Sequence, residues 1–242
     1  MTLQPARRFW KDVSVRTSGD VFKVCLDGRT LTTPAKTDLC LPNEALANAV
    51  AAEWRAQHDN IDPATMPMTR RANAAVDKVT PQQSEVTDML AEYGASDLLC
   101  YRAAYPRKLA DRQEAAWGPL LAWARQEFGA DLVVTTGVVH VAQRPDDIAR
   151  LASAVRAFSP FPLTGFHDLV TMTGSLVIGL AAARKAFPDQ DLWDRAQVDE
   201  SWQVEEWGND AEAAERAAHR KQDFADALKF FRLTPDKVND RA

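Results

Sequence analysis

An α+β fold that is mainly α is what the sequence predicts, and three observations predict it. Apolar and polar residues alternate through the first forty positions. The apolar period lengthens to that of a helix at Pro42-Asn43. Beyond about residue 65 the chain carries mainly helical spacing. The expectation is a small N-terminal β-meander with a covering helix, residues 1–64, followed by a helical C-terminal domain, residues 65–242.

In order along the chain, KDVSVR sets Val13 and Val15 in alternation, and TSGD at 17–20 is turn chemistry. In VFKVCLDGRTL, Phe22, Val24 and Leu26 alternate, and Asp27-Gly28 is a strong two-residue hairpin signal. TDLCL at 37–41 adds a short edge strand. Asn43 is a helix N-cap ahead of Leu46, Ala47, Val50 and Trp54 at helical spacing. That amphipathic helix covers one face of the sheet, because a bare three-stranded sheet needs a cover.

Met68, Ala72, Ala75, Val76 and Val79 predict a helix over 68–79, and Thr80-Pro81 opens the next, which Gly94 ends. A longer helix spans 107–128, and Gly118-Pro119 inside it should kink or divide it. DLVVTTGVVHV (131–141) reads as a short hairpin or an extended connector. Pro145 opens another helix, SPFP (159–162) breaks it, an apolar helix covers 163–187, and a last one runs over about 210–232.

Composition bounds the function classes. The net charge of −5 disfavours nucleic acid and anionic membrane surfaces as partners. The uncharged stretch 169–183 is shorter than the ~20 residues a bilayer span needs, so it reads as a buried helix rather than a membrane insertion. Three widely separated cysteines, Cys25, Cys40 and Cys100, with no CxxC argue against a disulfide scaffold or a zinc site. The N-terminus has no apolar run of signal-peptide length and leaves little room for a transit peptide.

Enzymatic constellations are scarce. Gly174 and Gly179 have the spacing of a phosphate loop but lack its Lys-Ser/Thr, so close helix packing is the better reading. Glu215 and His219, four apart on a helix, read as a surface ion pair. His167-Asp168 begins the buried helix in a capping or core role. Of Arg70 and Arg71, one must point near the apolar face of its helix; the readings are a pair with a buried carboxylate, a contact with an acidic partner, or two solvated arginines.

The segment VDESWQVEEWGNDAEA (198–213) crowds acids against two tryptophans. On a helical wheel Asp199, Gln203, Glu206 and Asp210 form one polar stripe. Val198 and Trp202 define one apolar side, and Val204 and Trp207 a second, nearly opposite. Glu205 lies beside the first and Glu200 beside the second. If both sides pack, both carboxylates are at least partly buried and need partners, inside the fold (Arg70 or Arg102) or on another protein. Gly208-Asn209 reads as the helix stop and Asp210 as the cap of the next helix.

The motifs RRFWKDVSV, LDGRTLTTPAK, AAEWRAQ, MPMTR-AN-A-D, CYRA, Q-AAWGPLLAWA and WQVEEWG-D-EA occur in this order. Together, from about residue 7 to 232, they resemble the assembly chaperone of the F-type ATP synthase that handles the alpha subunit of its soluble catalytic sector. The chain departs from that pattern at Arg71, where the family usually has an apolar residue, and at Gly118, where it usually has an acid. The resemblance implies a small α/β N-terminal domain, a helical C-terminal domain, no enzyme activity and no cofactor. It implies a holdase that binds the unassembled alpha subunit, masks its beta-contacting surface and releases it to the beta subunit; the free chain is expected to be monomeric. Members serve mitochondria and alphaproteobacteria, so this chain is expected in a bacterial cytoplasm. The candidate partner-binding residues are Glu200, Trp202, Glu205 and Trp207, with Arg70 and Arg71. The rival readings are an enzyme using Glu200 or Glu205 with Arg70 and His167 in a cleft, and a general interaction adaptor.

Overall fold

Alternation in the first forty residues produces the sheet expected of it. The computed structural model describes residues 6–208 and 210–235. Strands β1 (Val13–Ser18) and β2 (Val21–Leu26) pair antiparallel, from Val13 opposite Leu26 to Ser18 opposite Val21. The other edge of β2 carries β3 (Arg29–Thr30) at one end and β4 (Cys40–Leu41) at the other. Asp27 (φ 47°) and Gly28 (φ 80°) both take the left-handed backbone of a type I′ turn. The Asp27 carboxylate accepts the Asp12 and Lys11 N–H groups at 2.8 and 3.0 Å, and these bonds hold it below the usual carboxylate range.

Helix α1 (Glu44–Ala56) begins where Asn43 Oδ1 accepts the Leu46 N–H at 2.9 Å. Its buried stripe of Leu46, Ala47, Val50 and Ala51 packs with Val24, Leu26, Leu39 and Leu41 of the strand region, and Trp10 meets Trp54 edge-on at 5.0 Å. Burying each Val or Leu contributes about 1.5–3 kcal/mol, which is how so small a sheet holds. Helix α2 (Pro67–Ala74) has proline in its first turn and no capping side chain of its own. Glu53 on α1 substitutes, accepting the Met68 and Thr69 N–H groups at 2.7 and 2.8 Å. The expected helix over 68–79 then loosens into a π turn at Ala75–Val79 and a 3-10 turn at Thr80–Gln82, and α3 (Gln83–Ala95) follows.

The chain divides into two compact units. Of the described residues, 6–83, 159–165 and 229–235 form the sheet-bearing unit, and 84–158 and 166–228 form the helical one. The sheet-bearing unit therefore runs past the boundary at 64 expected from chain order. It also draws in Phe161 and Phe230, whose rings stack at 6.5 Å.

In the helical unit β5 (Tyr101–Arg102) precedes α4 (Arg107–Phe128). Helix α4 is not divided at Pro119. Pro119 and Ala115, whose carbonyl it leaves without an intrahelical donor, are both exposed, so water can replace the lost bond. The segment 131–141 is a connector with one short strand, β6 (Thr135–Thr136), parallel to β5. Helix α5 (Pro145–Arg156) buries Leu151, Ala152 and Val155. Its Asp147 side chain is buried. Burial alone would raise its pKa, but hydrogen bonds from Arg144 at 2.6 Å and Arg150 at 3.0 Å hold it down.

The single apolar helix expected over 163–187 is two: α6 (Pro160–Thr173) and α7 (Leu176–Ala183). Gly174, at φ 66°, turns the chain, and Ser175 Oγ caps α7 through the Ile178 N–H at 3.0 Å. A Cβ on Gly179 would lie 2.6 Å from Val170 and 3.2 Å from Phe166, so this glycine serves close helix packing. Helices α8 (Asp189–Ala196), α9 (Val198–Trp207) and α10 (Ala211–Leu233) complete the order.

Buried Asp97 ties this region together, accepting the Leu99 and Val177 N–H groups at 3.0 Å each. Burial pushes its carboxyl up to about 6, against the pull of those amide bonds. Because the folded pKa lies above the unfolded one, the stability from this group is complete below about pH 4 and is lost as pH rises through 6. The shift corresponds to roughly 3 kcal/mol. Urea unfolding of the wild type should therefore lose stability between pH 4 and 7 relative to Asp97→Asn, which cannot ionise. Parallel pH profiles for the two proteins would contradict this. Cys25 and Cys100 are buried free thiols, and burial pushes Cys100 up to about 12, which leaves it inert at neutral pH.

Candidate functional site

Helix α9 is seated on one side and open on the other. Val198 is its buried residue, Trp202 is half-buried, and Val204 and Trp207 are 42% and 79% exposed. Three groups outside the helix fix it. Gln113 on α4 donates to Asp199 at 2.7 Å, and Arg112 on α4 donates to both Glu205 oxygens at 2.8 and 2.7 Å. Arg220 on α10 approaches Glu200 at 3.9 Å, within ion-pair range. Gly208, at φ 85°, ends the helix with its N–H on the Val204 carbonyl, and the Asp210 carboxylate caps α10 through the Ala213 N–H at 2.7 Å. Asn209, the other half of the expected stop, lies outside the described residues.

Two packed apolar sides were the condition for burying Glu200 and Glu205, and the structure packs one. Both carboxylates stay about half exposed, at 52% and 56%. Their partners are Arg220 and Arg112, not Arg70 or Arg102. Asp199, expected on the solvated stripe, instead meets the buried Gln113, whose Oε1 also accepts the Ala103 N–H at 2.6 Å. Arg102 is committed elsewhere. It donates to the Leu99 carbonyl and to Glu114, and its guanidinium lies 5.2 Å from the Trp117 ring centre. Its Nη2 stands 3.0 Å from Glu114 but off the hydrogen-bonding direction, so the contact is electrostatic.

Arg70 and Arg71 belong to the sheet-bearing unit. Arg71 is the arginine on the apolar face, 7% exposed, and it donates to the Pro67 carbonyl at 3.4 Å. A partner can reach exposed Arg70 but not Arg71. The cleft required by the enzyme reading is not assembled in the helical unit. Glu200 and Glu205 are held by different arginines, and His167 pairs with the adjacent Asp168 at 3.1 Å. Glu215 and His219 lie at 3.8 Å on exposed α10, a surface pair. Among the described residues no group of three or more His, Cys, Asp or Glu is placed to hold a metal, and no helix is long and apolar enough to cross a membrane.

Sequence reasoning missed the seat of α9. Arg112 and Gln113 are 93 and 86 positions from their partners, and nothing local marks them. It also missed the valines at 133, 134, 138 and 139 as surface residues.

Comparison with known proteins agrees with this architecture. A profile described as ATP12 chaperone protein matches residues 7–125. The crystal structure of Atp12 from Paracoccus denitrificans is 44% identical, superposes with a TM-score of 0.90, and is matched over 95% of this chain and 99% of that one. A protein from Agrobacterium tumefaciens is 37% identical with a TM-score of 0.89, over 93% of this chain and 85% of its own. The mitochondrial protein atp12 of Schizosaccharomyces pombe is 22% identical over 225 residues, 88% of this chain and 77% of the relative. On the strength of these matches and the fold they share, the chain belongs to the ATP12 chaperone family.

Proposed function

We propose that the protein is a holdase for the unassembled alpha subunit of the ATP synthase catalytic sector, acting in a bacterial cytoplasm and releasing its client to the beta subunit. Family membership carries the coarser role, a chaperone of ATP synthase assembly. The observation that supports a docking role for α9 is Trp207, a large aromatic 79% exposed beside half-exposed Val204. Solvent exposure of tryptophan has no benefit for the fold, whereas aromatic anchors carry much of the energy of protein interfaces. Glu200 and Glu205, half free of their arginines, and Trp202 complete the surface, which suits a client patch that is apolar with basic groups at its rim. Arg70 is a secondary contact, and Arg71 serves the fold.

Release follows from mass action. The chaperone covers an apolar interface that would otherwise self-associate, and a beta subunit that binds the same face more tightly displaces it. The test is co-expression with isolated alpha and beta subunits. Alpha should stay soluble, co-purify with the chaperone and leave it when beta is added. A preference for beta, or alpha aggregation unchanged at stoichiometric chaperone, would overturn the reading.

A further inference from the structure

We infer that Gln113 is a positioning residue for client docking: by bridging an anchored backbone amide to Asp199, this buried side chain sets the rotation of α9 that turns Val204 and Trp207 outward. The inference rests on the holdase reading above and deepens it, because it says what holds the docking face in place.

The first observation is the direction of the bridge. Gln113 is 2% exposed. Its Oε1 accepts the Ala103 N–H at 2.6 Å, and its Nε2 donates to Asp199 Oδ1 at 2.7 Å. A backbone N–H can only donate and an ionised carboxylate can only accept, so the amide fits in one orientation. Ala103 directly follows β5, which pairs with β6 and whose Arg102 carbonyl takes the Gly137 N–H at 2.8 Å. One end of the bridge is therefore anchored backbone, and the other is α9.

The second is where the bridge meets the helix. At roughly 100° per residue, Asp199 lies about 60° to one side of the Trp202 direction and Glu205 about 60° to the other. Trp207 and Val204 fall about 140° and 160° away, on the far side. Glu205 is held by Arg112 and Asp199 by Gln113, neighbours on α4. Polar contacts on both flanks of a seated line resist rolling in both directions, since either roll breaks one of them.

The third is burial, which decides which flank matters more. The Arg112–Glu205 pair is 38% and 56% exposed, so water and salt weaken it. The Gln113 bond has a buried donor and a charged acceptor, and a buried donor left unpaired is costly. Helix α9 has no capping side chain, and its buried residue is Val198, so apolar packing alone fixes its rotation weakly. Gln113 is too deep to touch a client. Any effect it has on client affinity passes through α9.

The experiment titrates purified alpha subunit against the full chain carrying Gln113→Glu, Asp199→Asn or both. Trp117→Phe serves as a control that lowers stability and leaves the bridge in place. Gln113→Glu keeps the shape but sets a carboxylate against Asp199, and affinity should fall by about tenfold or more. Asp199→Asn can turn its own amide oxygen to the Gln113 donor, so it should bind within about threefold of wild type. The double variant reverses the polarity of the bond and should also return to within about threefold of wild type. A general loss of fold would not be rescued in that way. If Gln113→Glu fails to fold, Gln113→Met removes the bond without adding a charge, and its affinity loss should exceed that of Trp117→Phe. Unchanged affinity in the Gln113 variant, a loss no larger than that of Trp117→Phe, or a Gln113→Glu loss that the double variant does not reverse overturns the inference and leaves the holdase reading intact. Absence of alpha binding by the wild type removes both.

Discussion

Replacing Trp207 by alanine is expected to weaken client binding by roughly 30- to 1000-fold, the loss of about 2–4 kcal/mol that truncating a central tryptophan anchor produces. The same change should alter unfolding free energy by no more than about 0.5 kcal/mol, because the side chain is 79% exposed and supports nothing inside the fold. The contrast between the two readouts makes the prediction specific to an interface. Glu205→Gln provides the companion measurement. It removes the charge of a pair that is 38% exposed on Arg112 and 56% on Glu205, so its effect on stability should stay within about 1 kcal/mol. Loss of client affinity in Glu205→Gln at constant stability places that carboxylate in the interface. Isothermal titration against the alpha subunit and urea unfolding of both variants supply the numbers, and a Trp207→Ala protein that binds within threefold of wild type would sink the idea.

Features governed by neighbours in sequence were legible, and features governed by distant partners were not. Asp27-Gly28 and Asn43 act within three residues, so the turn and the cap could be read directly. The wheel of 198–207 set Val198 and Trp202 on one side and Val204 and Trp207 on the other, but it put Asp199 on the solvated stripe and could not say which side would meet a surface. That choice belongs to Arg112 and Gln113 on α4. The break at Gly174 was hidden because an apolar run looks helical throughout, and only the positive φ and the capping Ser175 divide it. Pro119 does not divide α4, since the chain's penalty for proline depends on whether water reaches the freed carbonyl. The exposed valines of 133–139 are the most informative failure. Their β-branched pattern was clear, but a pattern does not reveal whether another element of the chain covers it.

The largest expected effect on the fold is at Trp117. Its side chain is fully buried, its Nε1 donates to the Arg195 carbonyl at 2.8 Å, and the Arg102 guanidinium lies over its ring. Trp117→Ala should cost about 3–5 kcal/mol for the lost transfer and the cavity. The carbonyl left without its donor adds about 1 kcal/mol more. Against a typical total of about 5–15 kcal/mol, that brings the helical unit close to unfolding at 25 °C. Trp117→Phe keeps most of the volume and loses the hydrogen bond, so about 1–2 kcal/mol is expected, and it remains measurable if the alanine variant fails to fold. A cost below 2 kcal/mol for Trp117→Ala would mean that the site collapses around the gap. The two tryptophans separate two roles. Trp117 holds α4, and α4 carries Arg112 and Gln113, the groups that seat α9. Weakening that support should lower client affinity only as far as α9 loses its position, so Trp117→Phe should bind nearly as wild type despite its lower stability. Trp207→Ala should do the reverse.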